Sequence, residues 1–298
     1  MTSVIIPTFN RAAFLREAID SVLAQTEKDF ELIVVDDGST DHTRDLVAEY
    51  GDRIRYFFQP NAGASAARNL GIRHARGNFM AFLDSDDLWL PKKLARQMQW
   101  MAAHPDILLC YTDEIWIRRG VRVNQKMIHA KAGGQIYPLC LPRCIISPSS
   151  VLMRRELFDA VGLFDEQLPV CEDYDLWLRV AARFEVGFIP ELLIVKRGGH
   201  SDQLSQRDWG NDRYRVTALG KIYASGVLDQ TARKLTAAMI CLKCRVLENG
   251  FHKRQKLGEA KFYADLKEQF CQTYFDAEEK TGFITTAPNI EKRMSWRV

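Results

Sequence analysis

The chain has 298 residues, 47% of them hydrophobic, with 41 Lys and Arg against 38 Asp and Glu. That inventory supports a sizeable buried core and excludes a disordered or fibrous chain, and a net charge of only +3 argues against nucleic acid as the partner. Seven cysteines, with Cys241 and Cys244 spaced as helix neighbours, fit reduced, mostly buried thiols better than a zinc knuckle or a disulfide framework.

Met1–Ser3 leads directly into the strand-like run VIIP, with no amino-terminal signal pattern. No stretch reaches the roughly 20 apolar residues needed to span a bilayer. The expectation is a cytoplasmic protein whose membrane association, if any, is peripheral at the inner face.

SVIIPTF predicts a strand, AAFLREAIDSVLAQ an amphipathic helix and FELIVVDDG a second, strongly apolar strand. A helix across Thr43–Tyr50, capped from the STD run, precedes the strand IRYFFQ, a helix from Ser65 to about His74 and the strand NFMAFL. Continuous apolar strands alternating with helices predict an α/β fold, a mostly parallel Rossmann-like sheet flanked by helices on both faces. Pro91 suits the first turn of the next helix, PKKLARQMQWMAAH, and ILLCYTDEIWI reads as a strand.

Residues 118–144 are rich in Gly, Lys and Arg and read as a long connection or lid. SSVLMRR, the short helix ELFDAVG, the helix EDYDLWLRVAARF and a strand around FIPELLIVKR follow. After Ser201 the pattern is mainly helical, with interruptions expected at Gly226 and Gly250. Residues 1–200 are therefore expected to form the α/β part and 201–298 a loop followed by a helical C-terminal region. From residue 231 onward 13 basic residues face 8 acidic ones, which leaves packing, a homodimer contact and a membrane-surface contact open for this region.

Acidic residues cluster where strands end. VVDDGSTD (34–41) and FLDSDD (82–87) place carboxylates at the carboxyl ends of two strands, which in a parallel sheet open into a shared crevice. Two unit charges 4 Å apart repel by about 4 kcal/mol at an effective dielectric near 20, so Asp84, Asp86 and Asp87 need cations or strong hydrogen bonds in return. A hard divalent ion, Mn²⁺ or Mg²⁺, with oxygen ligands would supply that and hold a diphosphate. One of these acids could instead cap the helix near Pro91 or close an Asx turn, which still leaves the others to be explained. DDGS alone could be a turn around Gly38. CEDYDLW (171–177) opens a helix with Glu172, Asp173 and Asp175; helix capping and a proton acceptor both suit carboxylates there. Ser149 lies where an acceptor-side loop belongs, although a turn into SSVLM needs no ligand, and Trp177 suits either a core or a sugar platform.

Read together, PTFNR (7–11), VVDDGSTD, NAGASAARN (61–69), FLDSDD and CEDYDLW resemble, in order, the motifs of family 2 glycosyltransferases, over about the first 200 residues. The resemblance implies a GT-A fold, a nucleotide-sugar donor with a UDP-sugar as default and GDP- and dTDP-sugars as alternatives, and inverting transfer to a hydroxyl of a saccharide or lipid-linked saccharide. It implies that Pro7, Thr8, Asn10 and Arg11 form the first nucleotide loop, that Asp37 recognises the base with Asp36 beside it, and that Asn61, Gly63, Arg68 and Asn69 line the nucleotide side. Asp84, Ser85 and Asp86 would meet the ribose and diphosphate; Asp86 and Asp87, with Asp84 and His200, would hold the metal. Asp173 would be the catalytic base, with Glu172 its neighbour. A nucleotidyltransferase would need a Gly- and Lys-rich triphosphate loop after the first strand, which PTFNRAAFL does not resemble, and a non-catalytic glycan- or nucleotide-binding module would not need these carboxylates.

Overall fold

A computed structural model describes residues 1–199 and 210–279, with side chains to residue 272. The chain divides into two compact units, one of Met1–Gln125 with Lys131–Trp209 and the other of Lys126–Ala130 with Gly210–Val298.

In the first unit β1 (Thr2–Thr8), β2 (Phe30–Asp36), β3 (Arg55–Phe58) and β4 (Phe79–Phe82) pair in parallel in the order β3-β2-β1-β4. Helices α1 (Ala12–Leu23), α2 (Thr43–Ala48) and α3 (Ala64–His74) connect them. The unbroken apolar runs of β1 and β2 follow from burial on both faces. Val4, Ile6, Leu32 and Val34 join Leu15, Ile19 and Val22 of α1 in one core. Ile5 points the other way, against α3: a Cβ on Gly71 would lie 2.5 Å from Ile5 Cγ2, so glycine sets how closely that helix can approach.

Beyond β4 the sheet becomes mixed. β8 (Val151–Arg154) runs antiparallel to β4, β6 (Leu109–Arg118) antiparallel to β8, β9 (Gly187–Gly198) parallel to β6, and β5 (Leu88–Trp89) antiparallel to β9. α4 (Lys93–Ala103), α6 (Leu157–Val161) and α7 (Glu172–Ala181) complete this half. Pro91 precedes α4 by two residues rather than opening it, because Lys93 N–H donates back to Leu90 O (3.0 Å) in a turn ahead of the helix. The predicted connection at 118–144 contains some structure of its own: β7 (Val121–Val123) forms a hairpin on β6, and α5 (Tyr137–Cys140) buries Tyr137 and Cys140.

The second unit is helical: α8 (Asp212–Ala224), α9 (Gln230–Lys253) and α10 (Leu257–Glu279). Asp229 caps α9, its carboxylate accepting Ala232 N–H at 2.7 Å. Gly226 lies in the break before α9, as expected, but Gly250 does not interrupt it. A glycine in a helix costs about 1 kcal/mol, and the buried stripe Met239, Ile240, Cys244, Leu247 and Phe251 outweighs that.

Candidate active site

The parallel register sets Thr8 beside Asp36, so the loops after β1 and β2 leave the sheet together. Asn10, with a left-handed φ of 52°, accepts Thr40 N–H through Oδ1 at 2.7 Å and donates its backbone N–H to Ser39 Oγ at 2.8 Å. Asp36 accepts Tyr56 O–H (2.7 Å) and Ser39 N–H (2.8 Å). Asp37 accepts four donors: Gln59 Nε2 and Ala62 N–H on Oδ1, Asn61 Nδ2 and Gly63 N–H on Oδ2, all within 3.1 Å. A carboxylate has about four acceptor sites, so Asp37 shapes the 59–63 loop and would have to release a donor before contacting a base. Gly38, at φ +88°, is required there: a Cβ would lie 2.7 Å from Asn61 N.

The acids after β4 are balanced by arginines from distant segments. Arg11 Nη1 donates to Asp86 Oδ2 at 2.9 Å. Arg68, buried on α3, reaches Asp84 Oδ1 at 2.8 Å with one nitrogen and Glu172 Oε1 at 2.6 Å with the other. Burial opposes its charge, yet Asp84 and Glu172 hold the guanidinium above its ordinary value. One side chain thus ties the β4 loop to the start of α7, and the segments at 11, 68, 84–87 and 172–173 converge.

Asp87 is 2% exposed. It accepts Ser149 O–H at 2.6 Å and Arg197 N–H at 2.9 Å. Ser149 is itself fixed, because Trp89 Nε1 donates to its carbonyl (2.8 Å) while Gln97 and Lys93 bond Ser150 O and Val151 O. Burial, and then the charges of Asp86 and Asp84, push the Asp87 carboxyl well above the usual range. Its stability contribution is therefore complete below about pH 4, where unfolded aspartates are protonated, and is lost as pH rises through the raised folded value. Asp87→Asn, which stays neutral, is expected to melt higher than the parent at neutral pH, by about 2–4 °C per kcal/mol recovered, and to lose that advantage near pH 4. Melting curves of both proteins across that interval check this.

Asp173 is half-buried in the first turn of α7, two residues after Cys171, whose left-handed conformation (φ 65°) is a strained state for a non-glycine residue. Its Oδ1 accepts Tyr174 N–H (2.7 Å), and its Oδ2 lies 3.2 Å from the Cys144 thiol. Burial and then Asp173 raise the Glu172 carboxyl, with Arg68 acting in the opposite sense.

Other expected residues have internal roles. Asn69 brackets Phe164 N and O and donates to Glu166, which bends the 164–166 segment onto α3 rather than lining a nucleotide side. Trp177 is 1% exposed and has no face to offer a sugar; it is core, because the apolar stripe of α7 packs inward. Ser149 is likewise fully buried and braces Asp87 instead of meeting an acceptor. Ser85 is buried, Pro7 is partly buried, Thr8 Oγ1 is buried with no hydrogen-bond partner among the described residues, and Gly63 opens α3 at φ 95°. His200 lies outside the described residues.

Lys196 and Arg197 were not singled out from the sequence. Burial opposes the charge of Lys196, yet the carboxylates of Glu114, Asp87 and Asp84 hold it above its ordinary value. Arg197 contacts Asp86 O, Asp87 and Glu17. The signal was the basic pair KR closing a core strand, where an acid cluster needs counter-charge.

The model for glycosyl transferase family 2 matches residues 3–162. The chain belongs to this family. As a family 2 glycosyltransferase it is 36% identical over 204 residues to an uncharacterized glycosyltransferase of Rickettsia typhi, covering 66% of this chain and 64% of that protein. It is 34% identical to one from Rickettsia conorii over 70% of this chain but 35% of that protein, so it spans between about a third and two thirds of these relatives. An Escherichia coli enzyme named UDP-Glc:alpha-D-GlcNAc-diphosphoundecaprenol beta-1,3-glucosyltransferase is 35% identical over 60% of this chain and 69% of its own length. Staphylococcus aureus TarS 1–349 in complex with UDP-GlcNAc superposes with a TM-score of 0.71 at 22% identity, covering 91% of this chain and 80% of that one. A Pyrobaculum calidifontis mannosyltransferase in complex with GDP-Man and Mn²⁺ gives 0.52 at 19%, covering 93% and 85%. These likenesses show the GT-A fold.

Proposed function

We propose that this family 2 glycosyltransferase moves a sugar, with inversion, from a nucleotide sugar to a hydroxyl of a saccharide or lipid-linked saccharide in cell-surface glycan synthesis. The observation that carries the reading is the Arg68 bridge, which sets the candidate diphosphate acids beside Glu172 and Asp173. UDP is favoured as the donor nucleotide by the names of the Escherichia coli relative and the TarS complex. Residues 1–200 would hold this chemistry, with the helices of Asp212–Glu279 as an extension to it.

Asp173 takes the acceptor hydroxyl proton as the new O–C bond forms at the anomeric carbon and the sugar–phosphate bond breaks, its electron pair leaving on the diphosphate. Arg11 and Lys196 place positive charge beside the acids facing that leaving group.

Among the described residues no three His, Cys, Asp or Glu side chains form a metal cage. Mg²⁺-type sites commonly use one or two carboxylates plus substrate phosphates, and that pattern fits here. Asp87 has both oxygens engaged. Asp84, with its side chain 28% exposed, uses only Oδ1 on Arg68 and has no bond on Oδ2 among the described residues. Asp84 and Asp86 would thus hold Mn²⁺ or Mg²⁺; the chemistry supplied by the bound ion is neutralisation of charge on the departing diphosphate.

Incubation with UDP-glucose or UDP-N-acetylglucosamine, Mn²⁺ and a lipid-linked saccharide should release UDP and a product of inverted anomeric configuration. Pyrophosphate release would favour the nucleotidyltransferase reading, and nucleotide binding without turnover a non-catalytic module.

No helix among the described residues is long and apolar enough to cross a membrane. The α9–α10 turn exposes Lys253, Arg254, Lys256 and Lys261 around Leu257 (65% exposed) and Phe262 (59% exposed). Basic side chains with protruding apolar ones suit an anionic lipid surface, and this turn is proposed as the peripheral membrane contact. Sedimentation with phosphatidylglycerol vesicles is expected, with none on neutral phosphatidylcholine, and a severalfold loss in Leu257→Ser/Phe262→Ser. Equal binding to both vesicle types, or none, contradicts it.

A further inference from the structure

The Cys144 thiol lies between two acceptors, Asp173 Oδ2 at 3.2 Å and Ile146 O at 3.1 Å. A thiol has one proton and donates to one acceptor at a time. An ionised acceptor forms the stronger hydrogen bond, so the thiol donates to Asp173 while that carboxylate is charged. Burial first, and then the Asp173 charge, push the thiol well above its ordinary range, which keeps the proton on sulfur. The segment carrying Cys144 is fixed to α7, because Tyr174 O–H donates to Leu141 O at 2.6 Å and Ile146 is 1% exposed.

We infer that Cys144 is a positioning residue for the base: its S–H holds the Asp173 carboxylate in orientation before transfer and turns to Ile146 O once Asp173 has taken the acceptor's proton. The inference rests on the reading of Asp173 as base. The S–H bond does not break at any point; only its acceptor changes. The hold matters because Asp173 lies two residues after the left-handed Cys171, and its other side-chain hydrogen bond among the described residues comes from the N–H of the next residue. With Oδ1 on Tyr174 N–H and Oδ2 on Cys144, rotation about the side chain is fixed at two points. The thiol also matches both protonation states. An acceptor in its place would repel the charged carboxylate, and a fixed donor would face a protonated oxygen after transfer.

The test compares Cys144→Ala and Cys144→Ser with the parent for kcat, donor and acceptor KM, and melting temperature. Alanine removes the donor at similar size, so kcat is expected to fall about tenfold, as for one hydrogen bond to a charged group, with donor KM within about twofold. Serine restores a rotating donor and should return kcat to within about threefold of the parent. In an Asp173→Asn background the alanine change should have no further effect on the residual rate, because the two residues act as one unit. Parent-like kcat in Cys144→Ala overturns the inference. So does an equal fall in both variants accompanied by lower melting temperatures, which would assign Cys144 to packing. Full transfer by Asp173→Asn would overturn the functional reading as well, whereas an inactive Asp173→Asn beside an unaffected Cys144→Ala would overturn this inference alone.

Discussion

Asp173→Asn is expected to lower transfer by about 10²–10⁴-fold, the range supplied by a positioned general base, while donor affinity stays within about twofold. Asparagine keeps the size of the side chain and an oxygen to accept Tyr174 N–H, so the start of α7 should remain in place. What is lost is the ability to take a proton from the acceptor hydroxyl, a poor nucleophile until that proton begins to leave. The expected signature is a drop in kcat without a matching rise in donor KM. Sugar-transfer assays beside calorimetric titration of UDP separate the two, and undiminished turnover would remove Asp173 from its assigned role.

Arg68→Ala is expected to destabilise the protein by about 3–5 kcal/mol, the cost of removing one partner from a buried ion pair. Asp84 and Glu172 would be left facing one another without the guanidinium that both contact. The first unit should melt about 6–20 °C lower, taking 2–4 °C per kcal/mol. Because most of the penalty is a stranded charge, Arg68→Ala/Glu172→Gln should recover part of the loss, and the non-additivity measures the coupling. Equal melting of Arg68→Ala and the parent would show that Arg68 does not hold the two segments together. Turnover should fall further than stability explains, since the same residue sets the proposed diphosphate acids beside the segment that carries Asp173.

The α/β alternation was readable because β1 and β2 are buried on both faces, so their apolar runs are unbroken and bounded by turn residues. The acidic strand ends were readable for the related reason that three carboxylates within four residues cannot be explained by one cap. The identity of their counter-charges was not. Arg68 meets Glu172 across 104 residues and Arg197 meets Asp87 across 110; no local spacing encodes such pairs, and only the antiparallel return of β5 against β9 brings the last of them into place. Asn69 shows the converse limit: it stands in a motif that reads as ligand-facing, and its amide, near a chain bend, is taken by backbone groups that would otherwise be buried without partners, whereas Trp177, on the apolar stripe of α7, lies in the core as the commoner reading of a tryptophan there expects. Gly250 failed as a helix breaker because local propensity of about 1 kcal/mol is small beside a buried stripe of five side chains.

The most direct measurement is the melting temperature with UDP and Mn²⁺, added singly and together. A ligand stabilises only insofar as it prefers the folded state. If the arginine-balanced acids form one site for a diphosphate and a cation, the two together should raise the melting temperature by more than the sum of their separate effects, and Asp84→Asn/Asp86→Asn should abolish the excess. Additive or absent shifts with UDP, GDP and dTDP alike, in Mn²⁺ and in Mg²⁺, would contradict a shared site.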